Sequence, residues 1–220
     1  MKTRDRIIHS ALALFNEQGE PNVTTNHIAA DLGISPGNLY YHFRNKEEII
    51  HSIFDQYARD LSMGFQPEVP AESDEQRLLA YLDATFQLMW RYRFFYANLP
   101  DILSRDAELQ QKYLAAQQAL KANLFTMLSR FRDTGWLDMD NKELESLCST
   151  LKLVASSWIF YQSAQAPAAK VTPLVIYQGV LQILNMVSPM TTEKGRAVVA
   201  ELVSHYRTRM ESSQTISGQA

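Results

Sequence analysis

The sequence has a single cysteine, Cys148, among its 220 residues. One thiol excludes an intramolecular disulfide and a zinc cage built from cysteines alone, and it suits a reducing compartment. Glycine is scarce, at 8 residues. Val and Ile together number 22 against 47 for Leu and Ala, a balance that favours helices over strands. Neither sign of charge dominates: 21 Lys and Arg face 24 Asp and Glu, for a net charge of −3. That excludes a globally basic nucleic-acid coat. An apolar content of 46% excludes a charged disordered chain. Long apolar runs are missing too. The longest, Leu174 to Val187, is broken by Gln178, Gln182 and Asn185 and falls short of the ~20 residues a membrane span needs. Lys2, Arg4 and Arg6 precede an apolar stretch in the manner of a secretion signal, but Asp5, His9 and Ser10 interrupt it. The expected location is the cytoplasm, where the sequon Asn22-Val23-Thr24 has no meaning for glycosylation.

A chain this long corresponds to one or two domains and buries enough surface to fold without a disulfide or metal staple. Helical periodicity is present nearly throughout. Ile8, Ala11, Leu12 and Phe15 share one face of a first helix over about Lys2 to Gln18, ended by Gly19. Thr24 caps a short second helix carrying Ile28, Ala29 and Leu32 inward. Ser35-Pro36 starts a third, because serine caps free N–H groups and proline at the first helical position loses nothing. Asn45 opens a fourth, with Glu48 completing a capping box. Residues 63–73, with Gly64, Pro67 and Pro70, read as a linker or sharp loop. Further helices are expected over 74–92, near 94–103, and over 106–133, 140–164, 171–187 and 193–210. A loop is expected over 165–170, and a small, polar, disordered tail over 211–220.

The informative segment is the tight helix–turn–helix from Thr24 to Phe43. Ala29 is small enough for close helix approach, Gly33 can take the left-handed backbone of the turn, and Leu39 plugs the space between the helices. This geometry pushes a second helix into the major groove of DNA. The third helix would turn Pro36, Gly37, Asn38, Tyr40, Tyr41 and His42 outward around inward Leu39 and Phe43. Asparagine can hydrogen-bond a base edge or phosphate, and tyrosine can hold a phosphate oxygen or pack on a thymine methyl. Lys46 opens the next helix, where its ammonium and the helix N–H groups could share a phosphate.

The run from Val23 to Glu47, with its Leu39-Tyr40-Tyr41-His42-Phe43-Arg44-Asn45-Lys46 core, resembles the DNA-binding domain of TetR-family transcriptional repressors, and the likeness extends over about residues 4–57. The resemblance implies an all-α homodimer on double-stranded DNA. Each subunit would have a three-helix head, residues 1–46, and a larger helical ligand-binding and dimerisation domain, residues 47–210. It implies phosphate contacts from Thr25, Asn38, Tyr40, His42 and Lys46, and base or methyl contacts from Asn26, Pro36, Gly37 and Tyr41. Residues 22–46 carry a net charge of only +1, so non-specific affinity should be modest and its salt dependence shallow.

Beyond the head, two aromatic runs offer a mostly apolar pocket for a small-molecule effector, with Met89, Trp90, Phe94, Phe125, Trp158 and Tyr161 as candidate lining. Arg91 or Arg93 could pair a ligand carboxylate or stay solvated. Leu174, Tyr177, Leu181 and Leu184 recur at the spacing a two-fold interface needs. Gly33-Ile34-Ser35-Pro36-Gly37 matches a hydrolase pattern that works only between a strand and a helix, so Ser35 is read as a cap. No cofactor, metal site or catalytic cluster is expected. The rival reading is a helical protein-interaction module that uses the Tyr40–Tyr41 face without reading DNA.

Overall fold

The computed structural model describes residues 2–66, 73–166 and 169–217, with the side chains of 214–217 left out. Ten α-helices and no β-strand are present among the described residues. The head holds α1 (Thr3–Gln18), α2 (Thr25–Asp31) and α3 (Pro36–His42), and α4 (Lys46–Gly64) leads out of it. The rest comprises α5 (Asp74–Arg91), α6 (Arg93–Arg105), α7 (Ala107–Asp133), α8 (Asn141–Gln165), α9 (Pro173–Val187) and α10 (Glu193–Ser217). No described helix is long and apolar enough to cross a membrane.

The caps expected from the sequence form, with one shift. The hydroxyls of Thr24 and Ser35 accept from the N–H groups of His27 and Asn38. Asp140 and Glu143 make a reciprocal box at the start of α8. At α4 only half the expected box appears. Asn45 accepts from Glu48 N–H, but the Glu48 carboxylate reaches back to the N–H of Arg44, not to Asn45. The tail reading is partly corrected: α10 continues to Ser217, and residues 218–220 lie outside the described residues. The hydroxyls of Thr208, Ser212 and Ser213 each bond the carbonyl one turn back, a local bond compatible with a continued helix. The linker reading is partly corrected, since Met63 and Gly64 belong to α4. Pro67 and Pro70 lie outside the described residues, as do residues 167–168 of the expected loop.

One apolar core runs across the boundary expected at residue 46. It joins Ile7, Phe15, Ile28, Leu39 and Phe43 of the head to Ile49, Ile53 and Tyr57 of α4 and to Phe94 and Phe95 of α6. A polar side chain of α1 stitches the same joint. The Asn16 amide donates to Arg91 O and its oxygen accepts from Phe94 N–H, at 2.9 and 3.0 Å. It thereby caps both helices at the break between α5 and α6. His51 of α4 meets the Asp106 carboxylate at 2.6 Å, and Asp106 also caps α7 through Leu109 N–H.

Part of the apolar stripe assigned to a two-fold interface is engaged within the chain. Leu181 and Leu184 are buried within the chain against α10, and Tyr177 stacks on Phe86 of α5 at 4.4 Å. The large apolar side chains that α8 leaves exposed are Leu153, Phe160 and Tyr161. Alternate faces of a helix cannot be told apart by spacing when both carry apolar residues, and α9 is apolar over most of its circumference.

Gly195 of α10 packs so close to the turn after α7 that a Cβ there would lie 2.3 Å from the Trp136 carbonyl oxygen. Gly195→Ala should therefore destabilise the fold by about 1–3 kcal/mol, read by urea denaturation. The acid limb of stability is also predictable. Partial burial alone would raise the Asp106 carboxyl, but the Leu109 N–H and the His51 ring outweigh it and hold it below its ordinary value. A depressed carboxyl stabilises the folded chain above the ordinary carboxylate pKa, and the contribution is lost as pH falls through the lowered value. Asp106→Asn should flatten the stability–pH curve below about pH 4.

Candidate nucleic-acid interface and ligand cavity

The turn between α2 and α3 forms because Gly33 takes φ +64°, a backbone state that costs other residues about 1–2 kcal/mol. Gly33 N–H then reaches Ala30 O and Ile34 N–H reaches Ala29 O, which closes α2 on the reverse turn glycine permits. Ala29 is buried beneath it. Leu39 of α3 and Phe43 at its C-cap point into the core, at 0% and 1% exposure. Pro36, Gly37, Asn38, Tyr40 and Tyr41 are left outside, with His42 half-buried. Tyr41 is 85% exposed, far more than an aromatic ring needs for folding.

Two side chains expected to hold phosphates are brought together. The hydroxyls of Thr25, at the start of α2, and Tyr40 share a hydrogen bond of 2.9 Å, so the two helices present them as a pair. Asn26 is exposed one residue on. The ring of His42 stands edge-on to Tyr41, 5.1 Å away. The Arg4 guanidinium lies over the Phe43 ring and donates to Ser52. Ser35 caps α3, and a helix rather than a strand precedes it, so it has no strained turn from which to act as a nucleophile.

Lys46 is a correction. Its ammonium sits 2.7 Å from the Glu20 carboxylate, with its side chain 19% exposed. It also donates to the carbonyls of Glu20 and Val23. Arg105 of α6 takes the other Glu20 oxygen at 3.0 Å. Glu20 is fully buried, and a buried carboxylate must be paired. That demand, invisible in the spacing around Lys46, draws the lysine toward Glu20.

A cavity of about 150 Å³ lies between α4, α5, α6, α7, α8, α9 and α10. Of the six residues proposed to line a pocket, only Met89 does so. Trp90 is covered by the Arg93 guanidinium, 4.1 Å from its ring, and Phe94 packs on Phe15 at the head joint. Phe125 packs partly buried against the core around α7 and α8. Trp158 bonds Val175 O beside Gly179, and Tyr161 is exposed. Arg91 is held by Asp60 at 2.9 Å. The wall is built instead from Tyr57 and Leu61 of α4, Tyr96 of α6, Gln117 and Phe131 of α7, and Lys152 of α8. Burial pushes the phenols of Tyr57 and Tyr96 up, so both keep their protons. Lys152, a charge inside the apolar run Leu151 to Ala155, is the one sequence signal that pointed here. Cys148, one turn before it, is buried with Leu144, Leu147 and Leu151, and burial pushes its thiol up.

A short helix packed on one side and bare on the other, after a glycine turn, defines a helix–turn–helix DNA-binding protein. A family model described as "Bacterial regulatory proteins, tetR family" matches residues 7–53. A second, "TetR: Bacterial transcriptional repressor", matches residues 56–199. The chain belongs to the TetR family of transcriptional regulators. It is similar to a TetR-family regulator of Marinobacter aquaeolei VT8, with 34% identity, a TM-score of 0.82, and 94% of this chain and 99% of that one covered. It is 37% identical over 84 residues to the regulator TtgW of Pseudomonas putida, across 38% of this chain and 63% of TtgW. It is 25% identical to the biofilm-operon negative regulator IcaR of Staphylococcus epidermidis, across 73% of this chain and 84% of IcaR. The match thus spans less than two thirds of TtgW, and only 39% of the P. putida regulator SrpR.

Lys46→Ala leaves the buried Glu20 with Arg105 alone. The expected result is a stability loss on the order of 3 kcal/mol with an unchanged salt slope of DNA binding. A lysine on phosphate would lower that slope by about 0.9.

Proposed function

We propose that the chain is a ligand-responsive repressor that binds a near-palindromic operator as a homodimer in the cytoplasm. The observation that carries this reading is the outward face of α3, where Asn38 and Tyr41 stand free while Leu39 and Phe43 are packed. Tyr41, Pro36, Gly37 and Asn26 read base edges and thymine methyls. Thr25, Asn38, Tyr40 and His42 hold phosphates. Two heads reach major grooves about 34–36 Å apart, and the exposed Leu153, Phe160 and Tyr161 of α8 supply apolar area for the two-fold contact.

Response to a ligand follows from α4. Tyr57 and Leu61 line the cavity, while Lys46 at the other end of the same helix is bonded to the head through Glu20. A rigid helix moved at one end moves the other. The ligand shifts operator affinity only by its preference for the displaced arrangement, typically ~1–3 kcal/mol.

A gel shift against DNA flanking the chain's own gene tests the reading. Wild type should retard a near-palindromic fragment, and Tyr41→Ala should weaken binding by about 1–3 kcal/mol with an unchanged melting temperature. No retardation of any enriched DNA by an intact dimer would overturn it in favour of a protein-interaction module.

A further inference from the structure

The cavity has a polarity of its own, and resting on the ligand-responsive reading above, we propose that it takes a slender amphipathic carboxylate: an anionic head at Lys152 and an extended apolar body along α7. Lys152 is the only charged side chain among the described residues that line the cavity. Its ammonium donates to Gln117 O at 2.9 Å, and no described carboxylate lies within ion-pair distance of it. Lys121 on α7 adds a second positive charge nearby, and burial together with Lys121 pushes Lys152 below its ordinary value. A half-buried ammonium with a single carbonyl partner is poorly compensated. A carboxylate would supply the missing counter-charge through a charge-assisted hydrogen bond.

The groups beside Lys152 select the same chemistry. The Gln117 amide reaches the Tyr57 hydroxyl, and that hydroxyl the Tyr96 hydroxyl, each at 3.5 Å. These contacts are too long to satisfy the donors fully. The end of the cavity near Gln117 therefore presents an ammonium, an amide N–H and phenolic O–H groups. That donor set suits the lone pairs of a carboxylate and offers no anion to a cationic ligand. The other hydroxyls in the wall do not compete, because Thr85, Ser156 and Thr191 donate to carbonyls three or four residues back and Tyr81 donates to Gln66 O.

The body of the ligand is set by the rest of the wall. On α7 the lining runs from Gln117 to Phe131, which is about 21 Å of helix. It ends at the stacked Phe131 and Trp136 rings, 4.9 Å apart. A lining that follows α7 over that length fits an extended apolar chain.

Calorimetry on the full-length protein tests this with dodecanoate, dodecanol and dodecyltrimethylammonium, all below their micellar concentrations. Dodecanoate should bind about tenfold or more tightly than dodecanol, and the cation should bind most weakly. Lys152→Met should bring dodecanoate to the level of the alcohol while leaving dodecanol affinity unchanged, which also shows that the cavity survives the substitution. The proposal is overturned if the alcohol or the cation matches dodecanoate, if Lys152→Met keeps the carboxylate preference, or if none of the three binds. Operator release is read separately by gel shift. Carboxylate-selective binding without release sinks the ligand-responsive reading alone, and release by dodecanol with no carboxylate preference sinks the ligand class alone.

Discussion

A carboxylate with no access to water has to be met by positive charge, and in this chain that demand falls on Glu20. Its two oxygens take Lys46 from the first turn of α4 and Arg105 from the last turn of α6. A buried ion pair adds little net stability, but taking away one partner is costly, so the triad acts as a constraint on geometry. It fixes the turn after α1, the start of α4 and the end of α6 relative to one another. Asn16 does the same by neutral hydrogen bonds at the break between α5 and α6. The DNA-binding head is thus held at two points on α6, and the core continues unbroken beneath them.

This arrangement gives α4 two duties. Its first turn belongs to the ionic joint, its middle packs on α1, and its later residues Tyr57 and Leu61 face the cavity. Whatever fills the cavity meets the same rigid element that the head rests on. The Tyr57 ring is central to this, since it lies within 6.1 Å of Tyr92, Phe95 and Tyr96. Packed aromatic rings of this kind hold α4 against α5 and α6 with little room to deform.

Much of the head was legible without coordinates. Thr24, Gly33, Ser35-Pro36 and Asn45 mark helix ends through local chemistry that works within four residues of the chain, and the helices begin and stop there. The alternation of Leu39 and Phe43 with polar and aromatic neighbours identified which side of α3 stays bare. The cavity was not legible in the same way. Aromatic density pointed to Trp90, Phe94, Trp158 and Tyr161, yet large rings mostly fill space between helices, and these four do so or lie at the surface. The cavity lies where α4, α7 and α8 fail to meet fully, and Tyr57, Gln117 and Lys152 come to it from positions 35 or more residues apart.

The sequence by itself determined the all-helical class, the helix–turn–helix and the outward character of Asn38 and Tyr41, because caps, glycine turns and helical periodicity are local properties. Only the tertiary structure decided that Lys46 turns inward to Glu20, that Leu181 and Leu184 belong to the core, and that Lys152 lines an apolar cavity. Each of these depends on what a distant helix places opposite the residue, and the burial of a charge or a leucine is a property of the packed pair.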